Sequence, residues 1–163
     1  MKKLIFTILL LIVGQFIFTS CGGNSNESNK EEKVSASTTE KSKSLILDLT
    51  KVANKTEKEI ELILGKAEKT EKFEGYPCEK NNCQKTFYNS EKIEIIFKEG
   101  KANRITINET ADFTSDDNAL ENFGLENVKP TFKNPKNVIR WENIQNIAEI
   151  SCFTDYVLIQ VTK

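Results

Sequence analysis

The stretch Ile93–Asn108, IEIIFKEGKANRITIN, decides the fold class. Ile93, Ile95 and Phe97 alternate with Glu94 and Lys98, and Glu99-Gly100 reads as a turn. Ile105 and Ile107 then alternate with Arg104, Thr106 and Asn108. A period of two puts one side of a strand in a core and leaves the other polar. Two such runs across a glycine turn predict an antiparallel pair. Lys85 to Asn89, with Phe87 and Tyr88, extends the meander by a preceding strand.

A helix stands upstream. Thr56-Glu57-Lys58-Glu59 has the pattern of a capping box, with Thr56 as N-cap and Glu59 returning the bond. Ile60, Ile63 and Leu64 follow at helical spacing and Gly65 is a C-terminal stop. Leu49, Val52 and Ala53 suggest a short helical turn before it. Downstream the pattern restarts. Ser115-Asp116-Asp117 can cap a short helix carrying Ala119, Leu120 and Phe123, ended by Gly124. Strands are predicted over Val138–Glu142, over alternating Ala148, Ile150 and Cys152, and over Val157, Ile159 and Val161. Ile63-Leu64-Gly65 compares with Asn122-Phe123-Gly124, Phe87-Tyr88 with Arg140-Trp141, and Ile93-Glu94-Ile95 with Ala148-Glu149-Ile150. The expectation is an α+β domain over 45–163: two helix-plus-antiparallel-meander units (45–110 and 111–163) forming one sheet, with short helices packed on one side.

The 163 residues include 23 Lys plus Arg, 24 Asp plus Glu and no His, for a net charge of −1. Near-neutrality leaves no basic footprint for nucleic acid. Without His, neither a Ser-His-Asp triad, nor a Cys-His dyad, nor a His-based zinc site can form within this chain. No phosphate-cradling glycine motif of the P-loop or dinucleotide type is present. No cofactor is expected, and no catalytic residue is assigned.

Residues 1–20, MKKLIFTILLLIVGQFIFTS, combine a Lys pair, an apolar run from Leu4 and the small residues Thr19 and Ser20. That is the layout of an export signal. Leu4 to Phe18 is too short for a spanning helix, which needs roughly 20 residues. Phe18-Thr19-Ser20-Cys21 resembles a bacterial lipobox, with Phe18 where Leu is usual. The resemblance implies lipid attachment to Cys21 and cleavage before it, so the chain would lose Lys2 and Lys3 and carry a charge of −3. Gly22 stands where an inner-membrane retention signal of the enteric type has Asp, which by that analogy favours the outer membrane. Residues 22–44 carry four Glu, four Lys and, as apolar residues, only Val34 and Ala36, a composition that predicts a disordered tether after Cys21. Such a tether would span roughly 25 Å as a coil and at most about 80 Å stretched.

Thr56–Lys66, TEKEIELILGK, resembles the T-x-x-E-V/I-x-x-x-L-G-K/x-P stretch of small outer-membrane lipoproteins of the SmpA/OmlA (BamE) type. Domains like the beta-lactamase inhibitor protein are similar, and Ala67 here replaces the usual Pro. The resemblance implies a sheet beside a helical pair, often in tandem, and a binding or scaffolding module of the cell envelope.

Cys78 and Cys83 flank Glu-Lys-Asn-Asn in what reads as a polar loop after Gly75-Tyr76-Pro77. Outside the cytoplasm they favour a disulfide, contributing about 2 kcal/mol in the chain-entropy model. Free thiols or a metal are the alternatives, the metal under-ligated by two Cys alone. Cys152 reads as a small core residue, with an intermolecular pair as its alternative. Asp112, Asp116, Asp117 and Asn118 lack the spacing of a calcium loop and suit a helix start. Tyr88, Arg104, Arg140, Trp141 and Tyr156 are residue types that dominate protein interfaces, and would form a partner site if they shared an open sheet face. Alternation leaves open whether Trp141 is core or interface. The functional expectation is a lipid-anchored, non-catalytic module that binds or scaffolds an envelope protein. The alternatives are a lipid-anchored inhibitor of an extracytoplasmic enzyme and a carboxylate-based envelope hydrolase, which would need a cleft holding two carboxyls with one raised pKa.

Overall fold

The computed structural model describes residues 45–162, apart from the side chains of 79–82. The predicted signal (1–20), Cys21 and the tether (21–44) lie outside the described residues. The strands are β1 (Lys69–Gly75), β2 (Cys78–Tyr88), β3 (Ile93–Lys98), β4 (Lys101–Asn108), β5 (Phe132–Asn134), β6 (Val138–Ile144), β7 (Ile147–Phe153) and β8 (Tyr156–Val161). All eight form one antiparallel sheet in the order β1-β2-β3-β4-β8-β7-β6-β5. With helices α1 (Leu49–Val52) and α2 (Glu57–Leu64) and a 3-10 helix over Ala119–Phe123, the chain is of the mixed α+β kind.

Register explains why one face is the core. Ile95 pairs with Ile105, Ile105 with Ile159, Ile159 with Ile150 and Ile150 with Trp141. The neighbouring row runs Tyr88, Ile93, Ile107, Val157, Cys152, Ile139. Each strand contributes every second residue to these rows, so the apolar alternation of the sequence becomes a continuous surface. Leu49, Val52, Ile60, Ala119, Leu120 and Phe123 from the helical segments join the same buried cluster. The helical segments therefore bury their apolar side chains against this face.

Local chemistry fixes the helix ends. The Thr56 hydroxyl accepts from the Glu59 backbone N–H, and the Glu59 carboxylate accepts from the Thr56 N–H at 2.8 Å. That bond and the Thr56 hydroxyl hold the Glu59 carboxyl below its ordinary value. Gly124 closes the 3-10 helix with a left-handed φ of 72°, and a Cβ there would lie 2.9 Å from Asp48 Oδ1. Asp48 caps α1 by accepting from the Thr50 N–H at 3.1 Å.

Several sequence expectations shift. Edge strands β1 and β5 are additional, and the segment from Cys78 to Cys83 lies within β2 rather than in a loop. Ile63 is exposed, so Ile60 and Leu64 alone carry the α2 contact with the core. The 3-10 helix has Asn118 at its N-cap without a side-chain cap bond, while Asp116 accepts from the Asn118 N–H at 2.9 Å. In β7 the core residue is Ile147, because Ala148 is the extra residue of a bulge between the Ile147–Val161 and Glu149–Gln160 pairs.

Candidate functional site

The opposite face of the sheet has no helical segment packed on it among the described residues, since their buried apolar side chains all join the core cluster. Its rows are read from the same register. Arg140, Ser151, Leu158, Thr106, Glu94 and Phe87 form one, and Glu149, Gln160, Arg104, Ile96 and Lys85 another. Most of these side chains are half-buried, as expected for a face that is polar and aromatic but not covered.

Three of the five predicted partner residues share this face: Arg104, Arg140 and Tyr156. Tyr156 stacks on Phe153, with ring centroids 4.4 Å apart. Arg140 Nε donates to Ser151 Oγ at 2.9 Å and lies 3.3 Å from a Glu149 oxygen. The Ser151 hydroxyl in turn donates to Glu149 at 2.6 Å. Arg104 Nη1 donates to the Tyr76 carbonyl at 3.1 Å.

The other two belong to the core: this corrects the partner-site expectation for Tyr88 and gives Trp141 the core placement that alternation had left open beside the interface one. Tyr88 and Trp141 are both 0% exposed. Tyr88 shares the parity of Thr86, opposite Ile95, and Trp141 that of Ile139, so both side chains join the covered face. Trp141 spends its indole N–H on the Val128 carbonyl at 2.9 Å. The Tyr88 hydroxyl is buried without a hydrogen-bond partner. Burial, then the charges of Glu57 and Glu61, push it well above the usual phenol range.

At the β1 end of the open face, Phe73 and Ile96 pack with Cys78 and Cys83, which form a disulfide with Cα atoms 5.9 Å apart. Lys85 lies 5.2 Å from the Phe73 ring and 5.5 Å from that of Phe87, a cation–π arrangement absent from the sequence reading. Cys152 is buried and unpaired, its thiol pushed up to about 12 by burial and then by Asp116.

Several carboxylates elsewhere are engaged by neighbours. Beside a groove of about 490 Å³ lined by Thr70, Glu71, Gln84 and Phe97, Glu57 accepts from Gln84 Nε2 at 2.8 Å and from Thr86 Oγ1 at 3.1 Å. Glu71 pairs with Lys69 at 2.8 Å. Asp112 accepts from the Thr114 N–H at 2.8 Å, and Asp117 pairs with Lys133. The carboxyls of Asp48, Glu59, Glu71 and Asp112 are all shifted downward, by hydrogen bonds from Lys51, Thr56, Lys69 and Thr114 respectively. Among the described residues no group of three or more metal-ligating side chains converges.

Compared with known proteins, the chain matches no family model, no curated protein and no solved structure. Among the described residues, no helix is long and apolar enough to cross a membrane.

Proposed function

We propose that this chain is an envelope lipoprotein, anchored through Cys21, whose domain binds a protein partner on the open face of its sheet and performs no chemistry of its own. The observation that carries the reading is that face: Arg104, Arg140 and the Phe153–Tyr156 stack stand on the side of the sheet that no described helix covers. Arg and Tyr anchors on a rigid sheet meet a partner with little loss of side-chain freedom. Anchoring at Cys21 would raise the effective concentration of this face near membrane partners. On this reading the outer membrane is the site of action, and TEKEIELILGK is the shared element of the SmpA/OmlA (BamE)-like modules.

The same reading takes the domain as two copies of one unit, 45–110 and 111–163. Each run carries, ahead of its strands, a short helix closed by a positive-φ glycine, Gly65 or Gly124, and continues through four strands consecutive in the sheet.

Two experiments test the proposal. Metabolic labelling with an alkyne fatty acid should tag the chain, and Cys21→Ala should abolish the tag. A photo-crosslinking residue at Leu158 or Tyr156 should capture one envelope protein, whereas the same residue at Leu62, which is 86% exposed on α2, should not. Equal capture from Leu62, or none from the open face, would overturn the partner reading. Capture of a soluble enzyme would replace scaffolding by inhibition.

A further inference from the structure

The two ends of the sheet differ. β5 is three residues long and lies between Pro130 and Pro135, which offer no backbone N–H. β1 is seven residues long, and no described strand pairs with its outer edge. The ladder to β2 reaches back one residue further, because the Glu68 N–H donates to the Phe87 carbonyl at 2.9 Å. A free edge of that length is a template for another strand. Its side chains decide which strand. Charges of one sign would keep a second copy of the chain away. Here the signs alternate through Glu68, Lys69, Glu71, Lys72 and Glu74.

Two copies joined with their covered faces on the same side run antiparallel, about a two-fold axis that sets one residue opposite itself. With the axis at Glu68, Lys69, Glu71, Lys72 or Glu74, a charge meets its own sign, which is destabilising. Phe73 and Gly75 flank the register break at the hairpin tip. Thr70 is left. An axis there sets Lys69 opposite Glu71 of the second copy, and Glu68 opposite Lys72 of the second copy, each twice by symmetry. Thr70 then stands beside Thr70 of the second copy, a favourable cross-strand pair. The members of each pair share a face. Lys69 and Glu71 have the parity of Phe87 and Lys85, on the open side, while Thr70 and Lys72 have that of Thr86 and Gln84.

The charges are also placed for this register. Lys69 and Glu71 lie 2.8 Å apart within one copy, so a second copy completes a ring of four charges with opposite signs at every step. Glu68 is held at the start of the edge by the N–H groups of Ser90 and Glu91, at 2.7 and 3.1 Å. Lys72 is exposed and has no ion-pair partner among the described residues.

We infer that β1 is a self-association edge, on which a second copy of this chain lays its own β1 antiparallel about Thr70 and joins the two eight-stranded sheets into one. The pair uses up both long edges and leaves a β5 at either end, so association closes at two copies. Pairing over residues 68–72 is a small interface, of the weak class that buries less than about 1,200 Å². Confinement of both copies to one membrane would raise their effective concentration. The open face takes no part and stays free for its own partner.

The test uses the full chain in bacterial cells, oxidised with copper phenanthroline. Thr70→Cys should trap a disulfide-linked dimer, because only a residue on the axis meets its own counterpart. Lys72→Cys would face Glu68, about 13 Å along the strand from its counterpart, and should trap at least tenfold less. Adding Lys69→Glu or Glu71→Lys to Thr70→Cys sets like charges across the pair and should cut the dimer about tenfold. A Lys69→Glu copy mixed with a Glu71→Lys copy sets opposite charges across it again. The trap should return as a mixed dimer, revealed by differently tagged chains. That rescue acts between copies, since neither regains its own Lys69–Glu71 bridge. If Thr70→Cys misfolds or exchanges with the Cys78–Cys83 disulfide, a photo-crosslinking residue at Thr70 must give the same self-dimer. No self-dimer from either probe, equal trapping from Lys72→Cys, or no rescue in the mixture would overturn the inference. So would capture of a different protein at Thr70, which would give the edge to a foreign strand. The Leu158 crosslink reads the open face and stands or falls separately.

Discussion

Removing the hydroxyl of Tyr88 should stabilise the domain. The ring is wholly buried beside Ile93, and its oxygen has no hydrogen-bond partner. Tyr88→Phe therefore deletes a desolvated polar atom and no bond. A buried, unmet hydroxyl costs about 1–3 kcal/mol, and loss of one oxygen opens no cavity that holds a methyl group, so the expected gain is about 1 kcal/mol. For a domain of roughly 120 residues that raises Tm by about 3–5 °C. A second readout is independent of the first. The folded-state pKa of Tyr88 is raised above its ordinary 10.0, so its contribution is complete below pH 10 and declines as pH rises beyond it. In the unfolded wild type this phenol ionises above pH 10, and in the variant it cannot. The stability gap should therefore widen by about 1.4 kcal/mol per pH unit above that point. Urea titrations of both proteins at pH 7, 10 and 11 measure the two effects. If Tyr88→Phe loses about 1 kcal/mol or more, with parallel alkaline limbs, the hydroxyl has a partner and the reasoning is wrong.

Other changes follow from the same contacts. Gly124→Ala places a Cβ 2.9 Å from Asp48 Oδ1 at a positive φ, and should cost about 1–2 kcal/mol by chemical denaturation, more than alanine at an ordinary exposed loop glycine. Thr56→Ala removes the N-cap of α2 and should cost about 1 kcal/mol. Glu59→Gln should flatten the acid limb, because its lowered carboxyl contributes above pH 4.5 and loses that contribution as pH falls below it; titrations between pH 3 and 6 check the slope. The Cys152 thiol, pushed up to about 12, should resist iodoacetamide at pH 8 in the native protein and react on unfolding, as mass spectrometry of its peptide would show.

Where a strand is covered on one face and open on the other, its sequence shows it. Ile93, Ile95, Ile105 and Ile107 alternate with polar residues, and that alternation correctly sends Arg104 to the open face. The capping box of α2 is equally local. The hidden elements are those with little buried surface. β1, KTEKFEG, is an edge strand with no fully buried side chain, so it carries no apolar period, and β5 is three residues long. Adjacent aromatics Phe87 and Tyr88 must face opposite ways, and local sequence does not say which enters the core. Pairing of Tyr88 with Ile93, and of Trp141 with Ile150, decides it. The open face as a whole was less legible still. Its rows run across strands joined by the long-range β4–β8 pairing, which no local pattern encodes.

The strand order has a consequence for how the sheet is assembled. β8 is inserted between β4 and β7, so the final strand of the sequence order occupies the middle of the sheet. Until Tyr156–Val161 is in place, β4 and β7 each present an unpaired edge backed by the Ile105–Ile107 and Ile147–Ile150 side chains. Such edges are adhesive; β7 closes its own by a local hairpin to β8, whereas closing that of β4 demands a contact between segments far apart in sequence. A chain interrupted before Tyr156 would be left with two sticky half-sheets, each a template for the β8 of another molecule.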